Sequence, residues 1–90
     1  MKRLFAIMLA AALLLSTSCA KKELTLSELL EKGEQLLSDG EYDEAAAAFS
    51  SAIELDDRDT DAYLLRADAY IGLGGEENIQ KAIADYETVL

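Results

Sequence analysis

Residues 26–59 read LSELLEKGEQLLSDGEYDEAAAAFSSAIELDDRD, and residues 60–90 read TDAYLLRADAYIGLGGEENIQKAIADYETVL. Laid one over the other, the two stretches share a pattern. Leu29, Gly33, Leu36 and Gly40 are followed 34 residues on by Tyr63, Ala67, Tyr70 and Gly74. Ala45, Phe49 and Ala52 are followed 37 residues on by Ala82, Tyr86 and Val89. A fixed period of this length marks one supersecondary unit used more than once. The second copy carries three extra residues, which must fall between Gly74 and Ala82. The turn residues that open this stretch predict an enlarged loop there.

Each copy reads as two helices. Thr25-Leu26-Ser27-Glu28 is a capping box, in which Thr25 accepts from the third amide and Glu28 reaches back. Leu24 and Leu29 occupy the places of a hydrophobic staple. Leu26, Leu29, Leu30, Gly33, Leu36 and Leu37 recur at three- and four-residue steps and form one apolar stripe. Asp39-Gly40 ends the first helix, because glycine enters the left-handed conformation cheaply. A second helix follows from about Asp43 to Leu55, with Ala45, Ala48, Phe49, Ala52 and Ile53 inward. Asp59 or Thr60 caps a third helix carrying Ala62, Tyr63, Ala67, Tyr70 and Ile71, which Gly72 and Gly74 end. The fourth holds Ile79, Ala82, Ile83, Tyr86, Val89 and Leu90. Gly33, Ala45, Ala52, Ala67 and Ala82 leave room for close helix approach, and Leu29, Leu36, Phe49, Tyr63, Tyr70 and Tyr86 fill the space beside them.

This alternation of large and small residues resembles the tetratricopeptide repeat (TPR) family, whose unit is a 34-residue helix-turn-helix. The copy at 26–59 supplies Leu29, Gly33, Leu36, Gly40, Tyr42, Ala45, Phe49, Ala52 and Leu55 in register. It departs at Lys32, where the family has Leu, and at Asp57, where it has Pro. The copy at 60–90 supplies Tyr63, Ala67, Tyr70, Gly74, Ile79, Ala82 and Tyr86, with Arg66 at the Leu position and Val89 at the last Ala. The resemblance implies an all-α solenoid of antiparallel helix-turn-helix repeats, about two of them, the last incomplete. Leu90 falls inside the fourth helix with no polar capping helix after it, as repeat arrays normally have. The expectation is therefore the front part of a longer protein, and the open face of the last helix is a candidate for self-association.

Composition agrees with an all-α chain. Proline is absent, and Ala, Leu and Glu are good helix formers. The formal charge is −10 over 90 residues. Such a surface repels nucleic acid and anionic headgroups and favours basic or apolar partners. Histidine is absent and a single cysteine is present. The usual general base and the commonest zinc ligand are thus missing, and no internal disulfide can form.

The chain opens with a basic Met1-Lys2-Arg3, an uncharged apolar run from Leu4 to Leu15, then Ser16-Thr17-Ser18. That is the order of a secretory signal peptide, over residues 1–18. Twelve helical residues cover about 18 Å, short of the ~30 Å hydrocarbon core, so a spanning anchor does not fit. Leu15-Ser16-Thr17-Ser18-Cys19 is similar to a bacterial lipobox, although Leu lies one place early. The resemblance implies cleavage before Cys19, acylation of that residue, and residues 19–25 as a lipidated tether. Several acyl chains hold a protein stably where one alone is marginal. Ala20 is not the Asp that retains lipoproteins at an inner membrane, so the outer membrane is favoured where a cell has two.

Other motifs carry less. Asp57-Arg58-Asp59-Thr60-Asp61 begins like a calcium loop, but Ala62 stands where glycine is needed and Asp68 where a bidentate Glu is needed. Pairs such as Glu76-Glu77 and Asp85-Glu87 read as solvated helix faces. No catalytic residue, metal ligand or cofactor is expected. In the family the first helix of each pair lines a concave groove. Carried over, the facing positions are Ser27, Leu30, Glu34, Leu37 and Ser38, then Asp61, Leu64, Asp68 and Ile71; Leu30, Glu34, Leu37, Leu64, Asp68 and Ile71 form the candidate site. Leu30 and Glu34 stand where a carboxylate clamp would need Lys and Asn. An acidic groove with an apolar floor remains, suited to a basic or amphipathic segment. The expected function is a membrane-anchored, non-enzymatic protein-interaction module of the bacterial cell envelope, a scaffold or assembly factor. The alternatives are a secreted unlipidated adaptor, or an accessory N-terminal domain of a longer envelope enzyme.

Overall fold

The computed structural model describes residues 23–90. The expected signal peptide over 1–18 and the expected lipidation site Cys19 lie outside the described residues. Four helices follow in order: α1 (Leu26–Ser38), α2 (Tyr42–Leu55), α3 (Thr60–Leu73) and α4 (Glu76–Val89). Among the described residues there is no strand, and no helix is long and apolar enough to cross a membrane. Each helix packs chiefly on its chain neighbours, α1 on α2, α2 on α3 and α3 on α4, with α1 touching α3 more lightly. This is the stacking of a helical-hairpin repeat, as expected.

The starts and stops follow local chemistry. The capping box forms as read: Glu28 N donates to Thr25 Oγ1 at 3.2 Å, and Thr25 N donates to Glu28 Oε1 at 3.0 Å. Glu28 is held below the usual carboxylate range, first by the Thr25 backbone amide and then by the Thr25 side chain. At the other end Glu41 N donates to Leu36 O at 2.8 Å and Gly40 N to Leu37 O at 3.1 Å, with Gly40 at φ +78°. This pair of bonds satisfies two orphan carbonyls and turns the chain into α2. Asp59 caps α3, accepting from Ala62 N at 3.3 Å.

The core runs through small residues. Phe49 is fully buried and sits with Ala45, Ala46 and Ala69 in one cluster, flanked by Leu30, Leu36, Leu37, Leu65 and Tyr70. A second cluster joins Leu29, Ala52 and Ala62, with Leu26, Leu30 and Ile53 against it. Burying Phe49 contributes roughly 1.5–3 kcal/mol. Gly33 makes its place possible, since a Cβ there would collide with the Phe49 ring.

Three expectations are corrected. The extra residues of the second copy do not enlarge a loop. The α3–α4 turn is only Gly74-Gly75, both at positive φ, and α4 begins at Glu76. The inserted residues add almost one turn to the start of the helix, where Glu76 and Glu77 suit the positive end of the helix dipole. Gly72 does not end α3; it lies within the helix and faces the ring of Tyr42. Asp85 is not on a solvated face but is buried, as described below. Ala46 and Ala69 are buried although the stripe reading left them out. Ile71, read as lining the groove, is exposed.

Candidate partner-binding surface

The six groove residues divide in the structure. Leu30 and Leu37 are half-buried, packed where α1 and α2 meet α3. Glu34 and Asp68 are exposed, and so are Leu64 and Ile71. The exposed residues of α3 lie on one side because Leu64, Asp68 and Ile71 are spaced by four and three. The wall beside them is not passive. Tyr86 of α4 donates its hydroxyl to Asp68 Oδ1 at 3.3 Å. Partial burial, with the Asp68 charge adding to it, raises the Tyr86 phenol above its ordinary value. The hydroxyl therefore stays protonated at neutral pH and remains a donor.

Behind this surface lies a polar pin that sequence reasoning missed. Arg66 Nε donates to Asp85 Oδ2 at 2.9 Å and Nη2 to Asp85 Oδ1 at 2.6 Å, while Nη1 donates to Ser50 Oγ at 3.1 Å. One guanidinium thus ties α2, α3 and α4 together. Its carbon lies 5.8 Å from the Tyr63 ring centre and 5.7 Å from that of Tyr70, within cation–π range. Lys81 Nζ lies 5.6 Å from the Tyr70 ring centre. The hydrogen bonds to Asp85 raise the Arg66 pKa further, so the guanidinium stays charged. The signal was present as two matched departures. Arg66 replaces a repeat Leu, and Asp85 stands where the first copy has Ala48.

An open groove of about 420 Å³ lies at the start of the stack, between Leu24, Leu29, Lys32 and Leu36 of the α1 side and Glu44, Ala47, Ala48 and Ser51 of α2. None of the six predicted residues lines it. Ala62, at the glycine position of the would-be calcium loop, is fully buried inside α3.

A family model described as TPR repeat matches residues 33–74. The chain is 34% identical over 64 residues to a tetratricopeptide repeat and J domain-containing co-chaperone of Cryptococcus neoformans var. grubii. That match covers 71% of this chain but only 12% of the co-chaperone's length. No solved structure matches the chain. With the four-helix stack, these likenesses make residues 33–74 the centre of a TPR-like, all-α helical repeat, the kind of module that binds other proteins.

Proposed function

We propose that the chain is a non-enzymatic scaffold or assembly factor, tied to a bacterial envelope membrane by lipid on Cys19, that holds another protein near that membrane. The observation that carries the binding part is the exposed apolar pair Leu64 and Ile71 flanking Asp68, with Glu34 also exposed on α1. An apolar floor with acidic walls suits a basic or amphipathic segment. The anchoring part rests on Cys19 following the apolar run directly. The test fractionates cells that express the parent or Cys19→Ala. The parent is expected in the membrane fraction, extractable by detergent, and the variant is expected unprocessed or released. A Cys19→Ala protein that is processed and stays membrane-bound like the parent would sink the lipid anchor and leave the secreted adaptor. A second reading, an accessory repeat of a larger protein, draws support from the fungal co-chaperone, where the similar stretch is a small part of the length.

A further inference from the structure

The two hairpins furnish the same place differently. Leu29, Lys32, Leu36 and Ala48 line the open groove between α1 and α2. The internal spacing, 34 residues from α1 to α3 and 37 from α2 to α4, maps these four onto Tyr63, Arg66, Tyr70 and Asp85. In the second hairpin those residues are the pin itself, a guanidinium bonded to a carboxylate and set beside two tyrosine rings. Each counterpart in the first hairpin is smaller: Leu for both Tyr, Lys for Arg and Ala for Asp. The groove of about 420 Å³ is thus the place of the pin without the pin's side chains. Its floor of Leu29, Leu36 and Ala48 gains stability from any apolar segment laid on it.

The rim of the groove is acidic at both ends. Glu44 lines it beside Leu36, near the α1–α2 turn. Past Leu24 it runs into two shallower hollows, one bounded by Glu28 and Glu31 and the other by Glu23 and Glu54. Charge along the chain is divided just as sharply. Residues 1–22 hold Lys2, Arg3, Lys21 and Lys22 and no carboxylate, a net +4 that leaves −14 for residues 23–90 out of −10 overall. Between the two cationic pairs lies the apolar run at 4–15. Cations at both ends and an apolar middle complement carboxylates at both ends and an apolar floor. The lengths agree as well. The 13 residues of α1 rise about 20 Å, and the twelve of the run, wound as a helix, rise about 18 Å. Residues 16–23 form an eight-residue link to Leu24, at the upper end of the roughly 2–8 residues common between packed helices. So short a tether gives the run an effective concentration at the groove on the order of millimolar, which a second copy or a free partner must exceed.

We propose that, in the chain that still carries residues 1–18, the apolar run at 4–15 folds back antiparallel to α1 and covers this groove, with Lys2 and Arg3 at the Glu44 end and Lys21 and Lys22 near Glu28 and Glu54. The inference goes beyond the anchored-scaffold reading and does not need lipid on Cys19. Where the chain is cut before Cys19, as proposed above, the cut removes the cover. A partner that needs Leu29 and Leu36 then meets the processed protein and not its precursor, so processing switches on this part of the surface.

The test uses the full chain in detergent-free buffer, with Cys19→Ala to block processing and Ala6→Cys to carry a nitroxide. In the isotope-labelled protein, the amide signals of Leu36, Glu44 and Ala48 should be lost to paramagnetic broadening, while those of Ile83 and Tyr86 on α4 keep their intensity. Lys2→Glu with Arg3→Glu should restore the lost signals, and adding Glu44→Lys to that pair should remove them again. Lys2 and Arg3 lie outside the four helices, and a rescue by the second charge reversal is something unfolding cannot mimic. No broadening on α1 and α2, broadening spread evenly over all four helices, or broadening indifferent to Lys2 and Arg3 overturns the proposal. Isotope-labelled chains without nitroxide, mixed with unlabelled chains that carry it, should show no broadening; the same pattern there gives the groove to the run of a second copy and likewise overturns it. None of these outcomes alters where Cys19→Ala fractionates in cells, so the anchored-scaffold reading stands or falls separately.

Discussion

Gly33 and Gly72 pose the same steric problem with different neighbours. A Cβ at Gly33 would strike the ring of Phe49, which is fully buried and has nowhere to go. A Cβ at Gly72 would strike the ring of Tyr42, which is only half-buried and can swing aside. Alanine gains roughly 1 kcal/mol over glycine inside a helix, and overpacking a core costs about 1–3 kcal/mol. Gly33→Ala should therefore lower the urea midpoint, while Gly72→Ala should leave it unchanged or raise it. A matching contrast holds in α2. Ala45 is fully buried and Ala47 exposed, so Ala45→Leu should destabilise by about 1–3 kcal/mol and Ala47→Leu by no more than about 0.5 kcal/mol. Equal thermal shifts would mean that the repeat alignment is wrong. Gly33 and Ala45 were legible in sequence because the repeat itself marks small residues at close approaches. Gly72 was not, because a glycine two residues before another reads as punctuation unless its neighbour in space is known.

Among the elements, α1 depends most visibly on its cap. Glu28 has a lower pKa in the fold than in the unfolded chain, so its contribution is fully present above the unfolded value and is lost as pH falls through the folded one. Helicity of α1 should fall along that acid limb, and Glu28→Gln should flatten the dependence in circular dichroism. Losing the Thr25 cap by Thr25→Ala should cost about 1 kcal/mol. The α3–α4 pair answers to a different rule. Arg66→Leu alone leaves Asp85 buried without a partner and should cost roughly 2–3 kcal/mol, somewhat below the fully buried case because Arg66 keeps some contact with water. The double change Arg66→Leu with Asp85→Ala restores the residues of the ordinary repeat and should recover most of that loss. A double mutant as unstable as the single would show that the ion pair is not the source of the effect. All four helices could be read from caps and stripes. The added turn of α4 could not, because Glu76 and Glu77 suit a loop and a helix start equally well, and only packing on α3 decides between them.

The stack as a whole has unlike ends. Its beginning offers Glu31, Lys32 and Gln35 to solvent, with Glu28 half-buried beside them, and its end offers Leu64, Ile71 and Ile83. Appending a polar helix after Leu90 should therefore raise the melting temperature of a fragment of residues 20–90, whereas the same helix placed before Leu24 should not. This polarity was half legible. The open last face followed from the repeat alignment, but the division of the candidate groove, with Leu30 and Leu37 drawn into the core and Leu64 and Ile71 left outside, needed the position of α3. Helical-hairpin arrays tend to come apart one unit at a time, since each unit touches only its neighbours. Arg66 works against that tendency. It grips Ser50 of the first hairpin and Asp85 of the second at once, so neither α2 nor α4 can peel away without breaking a charge-assisted hydrogen bond to its guanidinium. Backbone amides across α2, α3 and α4 should consequently exchange with deuterium as one cooperative block, with α1, fastened by its own cap, opening ahead of them.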